Sequence, residues 1–454
     1  MICRNSILNF KMNKLLYYIV FAFFVFAFSA HAKLFDAHEF ELSNGLKVVV
    51  VENHKAPIVK MMLWYQVGAM DEKAGKSGLA HLLEHLMFRG TSKVPASAFN
   101  DIMLKNGVDF NAFTSYDFTV YHALADVSRI ELVLALEADR MTGLKINQEA
   151  FEGEQKIVYQ ERQQRVENNP KSRFSEEMHQ ILWKNTPYEH PVSGTLAEIN
   201  DFIAEDALNF YNTFYAPNNA LLVLSGDITM QEAEFLAQKY FEKIPSKALP
   251  ENRKMTFKVE DEGVYMVFKD MEDVANTKLS ISYIIPSMTE NTKQAFALSV
   301  FSSYFGEGGS SYLERELVEK KKLISASSSV DVFSRGSGVF QISALPFEGA
   351  NSVLSIKLLE DSLKKALNEL TEAKLEKEKK KMLSGLVYTQ DNPSNAAYLV
   401  GLFVSLGLGL EKLENYADEI KAVKLEDIKS AITHMLEHSK TLKTVLKPKE
   451  NANE

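Results

Sequence analysis

The chain has 454 residues, of which 46% are hydrophobic and 24% charged, and its formal net charge is −9. This length is enough for two or three domains with sizeable cores. The acidic balance, with no basic stripe and no nucleic-acid motif, argues against nucleic acid as a partner. An acidic binding chamber would favour basic peptides, although a negative net charge serves solubility equally well.

The first 32 residues differ in composition from the rest of the chain. Lys11 and Lys14 precede a run of 14 apolar residues at 15–28, and an Ala-His-Ala sequence follows at 30–32. This order is typical of a cleaved secretory signal peptide, and we predict one at residues 1–32. The alternative is an uncleaved membrane anchor, for which 14 apolar residues are short.

Cleavage would export the mature chain, to the periplasm if the source is a Gram-negative bacterium, without a stable membrane anchor. Loss of Arg4, Lys11 and Lys14 would change the net charge from −9 to −12. Cys3 is the only cysteine and would leave with the signal peptide. The exported chain would therefore rely on its core and on bound metal rather than on disulfides.

Strands joined by turns are predicted at 40–70, and the helix predicted next, at 78–88, carries His81, Glu84 and His85 in an HxxEH arrangement. Residues three and four apart lie on one helix face. Two imidazoles can thus converge on one ion, while Glu84 holds and deprotonates a water molecule. This inverted spacing is a zinc peptidase signature that needs a structural context. The opposite face consists of Leu79, Leu82, Leu83 and Leu86.

A second HxxEH sequence occurs at His434, Glu437 and His438, so the motif alone is weak evidence for a metal site. Catalytic zinc takes three protein ligands and leaves a fourth position for water. Only a Lys-rich tail follows the second copy, with Glu450 and Glu454 as its carboxylates. We interpret the second copy as the exposed face of a terminal helix.

A strand is predicted near 107–125 and a helix near 127–143. The next predicted helix, at 151–165, carries Glu154 and Glu161 two turns apart on a face that also holds apolar residues. Partly buried carboxylates need a metal, a cation or hydrogen bonds. The alternative is a pair of solvated glutamates.

The elements predict two similar halves. We place an N-terminal zinc-binding domain at 33–245, a polar linker containing prolines at 246–258, and a C-terminal domain at 259–454. Strands and helices alternate in a similar way in both halves, although their residue identity is low, so the repeat is one of pattern only.

These motifs resemble the pitrilysin/insulinase family of zinc peptidases, on its mitochondrial-processing-peptidase-like branch, and this chain resembles a bacterial zinc-binding subunit of that branch. Four further segments share the resemblance. They are FNAFTSYDFTVYH (110–122), TPYEHPVSGT (186–195), FYAPNNALLVLSGDI (214–228) and FGEGGSSYLERELVEKKKL (305–323).

The resemblance implies an α+β fold of two tandem homologous domains, each a mostly antiparallel sheet flanked by helices, which together form half of a clamshell chamber. It implies that His81, His85 and Glu161 bind one Zn²⁺ per chain and that Glu84 is the general base. Glu154 would orient the site from behind the ligands.

The resemblance also implies how a peptide substrate is held. Asn111, Ala112 and Phe113 match positions on an edge strand that contacts substrate in the family. An extended peptide that pairs with such an edge gains backbone hydrogen bonds with little demand on its sequence.

One departure from the family concerns the C-terminal domain, which resembles an inactive copy. Many members have an Arg and, seven residues later, a Tyr that help bind the substrate, but Val318 and Ser325 stand at the matching positions here. Tyr312 stands where an Arg is common. We therefore predict a heterodimer in which a homologous chain supplies the Arg/Tyr pair, in preference to a homodimer.

The sequence as a whole indicates a zinc-dependent endopeptidase that hydrolyses peptide bonds in short or unfolded peptides. The alternative is a non-catalytic assembly or binding subunit of the same fold. Such subunits usually lose the HxxEH residues, which this chain keeps.

Overall fold

The computed structural model describes residues 33–95, 98–251, 253 and 256–449. The predicted signal peptide lies outside these residues. The described part of the chain forms two mixed, mostly antiparallel sheets, one in each half, flanked by helices. The predicted α+β class and its two similar halves are thus confirmed.

The first half begins with a long sheet-forming region and adds most of its helices before the last strand. Its strands are β1 (His38–Glu41), β2 (Lys47–Glu52), β3 (Ile58–Tyr65), β4 (Asp109–Thr114), β5 (Thr119–Asp126) and β6 (Ala220–Gly226). Its helices are α1 (Leu79–Leu86), α2 (Ala98–Lys105), α3 (Ile130–Gly143), α4 (Gln148–Arg162), α5 (Pro170–Leu182), α6 (Leu196–Asn200), α7 (Ala204–Phe214) and α8 (Met230–Phe241). A π-helical turn at Gln163–Glu167 extends α4.

The second half repeats this plan and ends on a strand. Its strands are β7 (Val264–Met271), β8 (Lys278–Ile285), β9 (Ser325–Asp331), β10 (Gly338–Leu345) and β11 (Thr441–Pro448). Its helices are α9 (Thr292–Gly306), α10 (Ser352–Glu369), α11 (Glu372–Asp391), α12 (Pro393–Ser405), α13 (Gly409–Glu414), α14 (Tyr416–Ala422) and α15 (Leu425–His438).

The two sheets share one topology. The first has the order β1-β2-β6-β3-β5-β4, and the second has the order β7-β11-β8-β10-β9. When β1 is set aside, each sheet has one parallel pair, β2 with β6 and β7 with β11, and antiparallel pairs elsewhere. In each half, the last strand in the chain therefore lies inside the sheet, with β6 next to β2 and β11 next to β7. The strands β4 and β9 lie at equivalent edges of the two sheets.

One helix from each half packs on the sheet of the other half. Helix α5 packs on the second sheet, with Phe174, Met178 and Leu182 against Ile284, Leu442 and Leu446. Helix α12 packs on the first sheet, in a core formed with Val49, Val51, Trp64 and Val223. Gly401 allows the close approach, because a Cβ there would lie 2.0 Å from the Trp64 ring.

Two segments differ from what the sequence analysis describes. The strand predicted near 107–125 is a hairpin of β4 and β5, whose turn contains neither Gly nor Pro and so gives no turn signal; hydrogen bonds to the Ser115 hydroxyl hold it instead. The Lys-rich tail after the second HxxEH sequence is β11, an interior strand. Its Leu442, Val445 and Leu446 are buried.

The described residues include no helix that is both long and apolar enough to span a bilayer.

Candidate metal centre

Helix α1 carries the first HxxEH sequence and is held by its apolar face. Leu79, Leu82, Leu83 and Leu86 are all buried in the core of the first half, as the helical periodicity predicts. Gly78 precedes the helix with a φ of 90°, and a Cβ there would lie 2.7 Å from the Gly194 Cα. The chain therefore enters the helix through a position that favours glycine.

Glu72 caps the start of α1 from a loop six residues away, which the sequence analysis missed. Its carboxylate accepts hydrogen bonds from the Gly78 and Ala80 backbone N–H groups, at 3.0 and 2.7 Å. These are among the N–H groups that a helix leaves unpaired at its first turn. Burial raises the pKa of Glu72 well above its usual range, although the two amide donors oppose the shift.

Replacing Glu72 with alanine should lower the free energy of unfolding by about 1–3 kcal/mol, because two buried amides would lose their acceptor. Urea denaturation of the purified chain measures the change. Glu152→Ala, at an exposed position of α4, should stay within about 0.5 kcal/mol of the wild type. Equal effects of the two substitutions would contradict the capping role.

The structure brings His81, His85 and Glu161 together. One donor atom from each lies within 4.8 Å of the others, and no second such group of His, Cys, Asp or Glu occurs in the described residues. Glu161 Oε1 is 3.7 Å from His81 Nε2, and its Oε2 is 3.6 Å from His85 Nε2. Ligands about 2.1 Å from a tetrahedral zinc ion lie roughly 3.4 Å from one another. The donor set thus fits zinc in its chemistry, and both distances from Glu161 to the histidines lie close to this value.

The protonation of the two imidazoles is set by different neighbours. Burial, together with the charges of His85 and Arg165, lowers the pKa of His81 to about 3. This ring is therefore neutral near pH 7, as a metal ligand must be. Burial also lowers the pKa of His85, but the hydrogen bond and charge of Glu154, together with the charges of Glu84 and Glu161, outweigh it, and the net shift is upward.

Glu154 lies behind His85. Its Oε2 is 3.0 Å from His85 Nδ1, which leaves Nε2 of the same ring facing Glu161. Its Oε1 contacts the Arg89 guanidinium, so this buried carboxylate has a partner on each oxygen. Carboxylates in this position fix the orientation of a ligating histidine, the role that the family resemblance implies for Glu154.

Glu84 lies beside the His81–His85–Glu161 group, and its Oε2 accepts a hydrogen bond of 2.5 Å from the Thr114 hydroxyl. Burial raises the pKa of Glu84 above its ordinary value, against that hydrogen bond. Thr114 is the last residue of β4. The carboxylate of Glu84 is therefore tied to the edge strand that the sequence predicts to hold substrate.

Asn111, Ala112 and Phe113 all lie on β4, at the edge of the first sheet. A hydrogen bond from Ser115 N to Phe118 O marks one bonded pair of the hairpin. Hydrogen-bonded and non-hydrogen-bonded residue pairs alternate along an antiparallel ladder. Ala112, three positions before Ser115, therefore belongs to a non-hydrogen-bonded pair, and its backbone N–H and C=O groups point away from β5. Consistently, Ala112 N donates to the Asn111 side chain rather than to the neighbouring strand.

Sequence reasoning missed Glu72, Arg89, Thr114 and Arg165 around the site. Arg165 contacts the Glu161 carboxylate, and its position one helical turn after Glu161 is a signal that could have found it. Thr114 gave no such signal, because its contact with Glu84 joins segments that are distant in sequence. Glu72 gave none because it reaches the start of α1 across an irregular loop, outside the positions next to the helix where caps are sought.

The second HxxEH sequence forms no comparable group. His434, Glu437 and His438 are all exposed on α15, as predicted. Of the positions matched to the Arg/Tyr pair, Val318 packs partly buried against the core of the second half and Ser325 is exposed at the start of β9. Tyr312 is buried in the same core.

The helix equivalent to α1 in the second half is α9, because each follows the equivalent strand and contacts the equivalent edge. It carries Ser299, Ser302 and Ser303 at the spacing of the HxxEH residues. Ser303 is hydrogen bonded to buried Glu378 of α11, as His85 is to Glu154, and the Lys381 ammonium lies 3.3 Å from both partners. In the second half, the ammonium group of Lys381 thus provides the positive charge beside the buried glutamate.

Two family profiles match most of the chain. The profile described as Insulinase (Peptidase family M16) matches residues 47–196, which include all of the residues around the candidate metal centre. The profile described as Peptidase M16 inactive domain matches residues 201–382.

Known proteins of similar length resemble most of the chain. It is 29% identical over 435 residues to the zinc protease PqqE of Helicobacter pylori, which covers 92% of this chain and 95% of that protein. It is 26% identical over 411 residues to the mitochondrial-processing peptidase subunit beta of Lentinula edodes, covering 86% of this chain and 85% of that one.

The fold also matches one half of a larger protein. The crystal structure of the periplasmic protease PqqL from Escherichia coli superposes with a TM-score of 0.76 at 16% identity, over 91% of this chain and 48% of that one. At this identity the likeness concerns the fold alone.

Proposed function

The chain belongs to the insulinase peptidase family M16, and from this premise we propose that it is a zinc-dependent endopeptidase acting on short or unfolded peptides. The observation that carries the proposal is the convergence of His81, His85 and Glu161 with Glu84 beside them. These three side chains would hold one Zn²⁺ ion. The names of curated relatives, zinc proteases among them, support this choice of metal.

Zinc in a site of two histidines and a carboxylate acts as a Lewis acid and makes water acidic enough to react near neutral pH. Glu84 takes the proton from the attacking water and delivers it to the leaving amine nitrogen. The burial that raises the pKa of Glu84 strengthens it as a base. Thr114 holds the carboxylate in place, and Glu154 keeps the His85 ring oriented.

The edge of β4 is where we propose that the peptide binds. Asn111, Ala112 and Phe113 lie on a strand edge that pairs with no further strand of the described residues and that ends at Thr114, the residue bonded to Glu84. A bound peptide would replace the Asn111 side chain as the acceptor for Ala112 N–H. A peptide added antiparallel or parallel to this edge would be held by its backbone. Affinity would then depend weakly on sequence, which suits short or unfolded substrates.

Ala112→Pro should raise KM about 2- to 10-fold with little change in kcat, because it removes an outward-pointing N–H group without breaking the ladder to β5. Initial rates on a quenched fluorescent peptide measure both constants. Ala112→Ser keeps the N–H group and should leave KM within about twofold of the wild type. An unchanged KM for the proline variant at unchanged thermal stability would exclude this edge as the binding site.

We propose that full activity needs a homologous second chain. This chain spans about half of the Escherichia coli protease PqqL, and Val318 and Ser325 cannot make the strong charge-assisted bonds of an Arg/Tyr pair. The two chains together would close the predicted chamber. We expect both to be exported to the periplasm, because the Escherichia coli protease PqqL is periplasmic.

Peptide digestion with and without the homologous chain tests this partnership. We expect weak cleavage by the chain alone and a clear increase on mixing. Full activity of the isolated chain would remove the heterodimer. Bound zinc without cleavage of any peptide, even in the mixture, would favour a non-catalytic subunit.

A further inference from the structure

A buried group of charged side chains joins the two halves of the chain near the candidate metal centre. Asp71 precedes α1, Arg253 lies between the halves, and Arg335 lies in the turn between β9 and β10. Their side chains are only 2%, 7% and 4% exposed. Charges buried to this extent are costly unless they are paired, so the pairing fixes the geometry of the segments that carry them.

Asp71 is the centre of this group. Its carboxylate accepts hydrogen bonds from Arg253 Nε at 2.7 Å, from Arg335 Nη1 at 3.1 Å and from Gly68 N at 3.1 Å. One acceptor therefore ties a loop of the first half to an arginine from the second half.

The loop held by Asp71 also holds the zinc-site helix. Glu72, the next residue, accepts the N–H groups of Gly78 and Ala80, and Ala80 is directly followed by His81. The path from Arg335 to the first candidate ligand thus consists of the ion pair to Asp71, the peptide unit to Glu72, the helix cap to Ala80 and the peptide unit to His81.

Arg335 also contacts the turn that follows the edge strand. Its backbone N–H donates to Asp117 Oδ2 at 3.2 Å, and its Nη1 lies 3.4 Å from the Asp117 carbonyl oxygen. The same turn accepts hydrogen bonds from the Asp71 loop, from Ala69 N to Ser115 O and from Met70 N to Tyr116 O. Arg335 therefore fastens both segments on which the proposed site depends, α1 and the end of β4.

We propose that Arg335 is a positioning residue for the metal centre, through which the second half of the chain, lacking a metal site of its own among the described residues, sets the position of α1. This inference rests on the proposed function only in taking His81 and His85 as metal ligands. A planar guanidinium with several donors suits the task, because it can serve Asp71 and the Asp117 turn together.

The test compares Arg335→Met with Lys440→Met in the full chain. Lys440 is a matched control, since its side chain is 4% exposed in the same half and pairs with Asp261. None of its hydrogen bonds or ion pairs within the described part of the chain reaches residues 68–86. Zinc affinity is measured by competition with a chromogenic chelator, and hydrogen–deuterium exchange is followed in residues 79–86.

We expect Arg335→Met to weaken zinc binding at least about tenfold, the range found for residues that support metal ligands, and to speed exchange across α1. Lys440→Met should change neither quantity more than about twofold, even at a similar loss of melting temperature. Equal behaviour of the two variants would reduce Arg335 to a purely structural role and overturn the proposal.

Should Arg335→Met fail to fold, Asp71→Asn removes this ion pair, together with that to Arg253, with less change in volume. It gives the same two readouts. Unchanged zinc affinity and exchange in that variant overturn the proposal as well. Neither zinc affinity nor hydrogen–deuterium exchange requires peptide cleavage. A wild-type chain that binds zinc and cleaves nothing would therefore defeat the proposed function but leave the positioning role of Arg335 to be decided by these two measurements.

Discussion

Replacing Glu84 with glutamine should leave zinc binding unchanged and lower kcat by about 10²–10⁴-fold, the contribution typical of a positioned general base. Glutamine has nearly the same shape as glutamate and can still accept the hydrogen bond from the Thr114 hydroxyl. It cannot take a proton from water. Metal content by mass spectrometry and kcat on a quenched fluorescent peptide, with the homologous chain present, measure the two effects separately.

The second HxxEH sequence supplies the control. Glu437→Gln makes the same chemical change in the same five-residue pattern, but Glu437 is exposed on α15, and we expect wild-type kcat. A Glu84→Gln variant that cleaves as fast as the wild type would defeat the assignment of the base. Loss of zinc from that variant would instead show that Glu84 supports the metal itself.

The local part of the candidate site was predictable from the sequence. The spacing of His81, Glu84 and His85 and the leucines opposite them specify one helix face, and helix geometry alone brings the two imidazoles together. The seven-residue spacing of Glu154 and Glu161 likewise puts both carboxylates on one face of α4. That this face meets α1 came from the resemblance to the family, since periodicity gives a helix an apolar face without naming its neighbour.

The exchange of helices between the halves was beyond sequence reasoning for the same reason. The pattern of α5 indicates one apolar face and that of α12 a largely buried helix, but either would pack equally well on the sheet of its own half. The contact between Arg335 and Asp71 was even harder to predict from the sequence. It lies 264 positions from Asp71, and an arginine in a turn is expected to be solvated until the fold buries it.

Replacing Glu161 with alanine should abolish zinc binding at micromolar metal and, with it, peptide cleavage. Three protein ligands hold catalytic zinc, and loss of a supporting residue alone costs about 10–100-fold in affinity, so loss of a ligand should cost at least about 100-fold. Glu154→Gln should lower zinc affinity only by about 10–100-fold, because it leaves the three ligands in place and weakens only the contact with His85 Nδ1.

Two measurements check this ranking. Metal content after dialysis should fall from one ion per chain to none in Glu161→Ala. Zinc should raise the melting temperature of the wild type but not of the variant, because an ion that binds only the folded chain stabilises it in proportion to the logarithm of its concentration over Kd. His438→Ala changes an exposed histidine of the second motif and should behave as the wild type. If Glu161→Ala kept a full zinc ion and the same thermal shift, the ion would have to lie elsewhere, and the geometry of His81, His85 and Glu161 would no longer support a hydrolase.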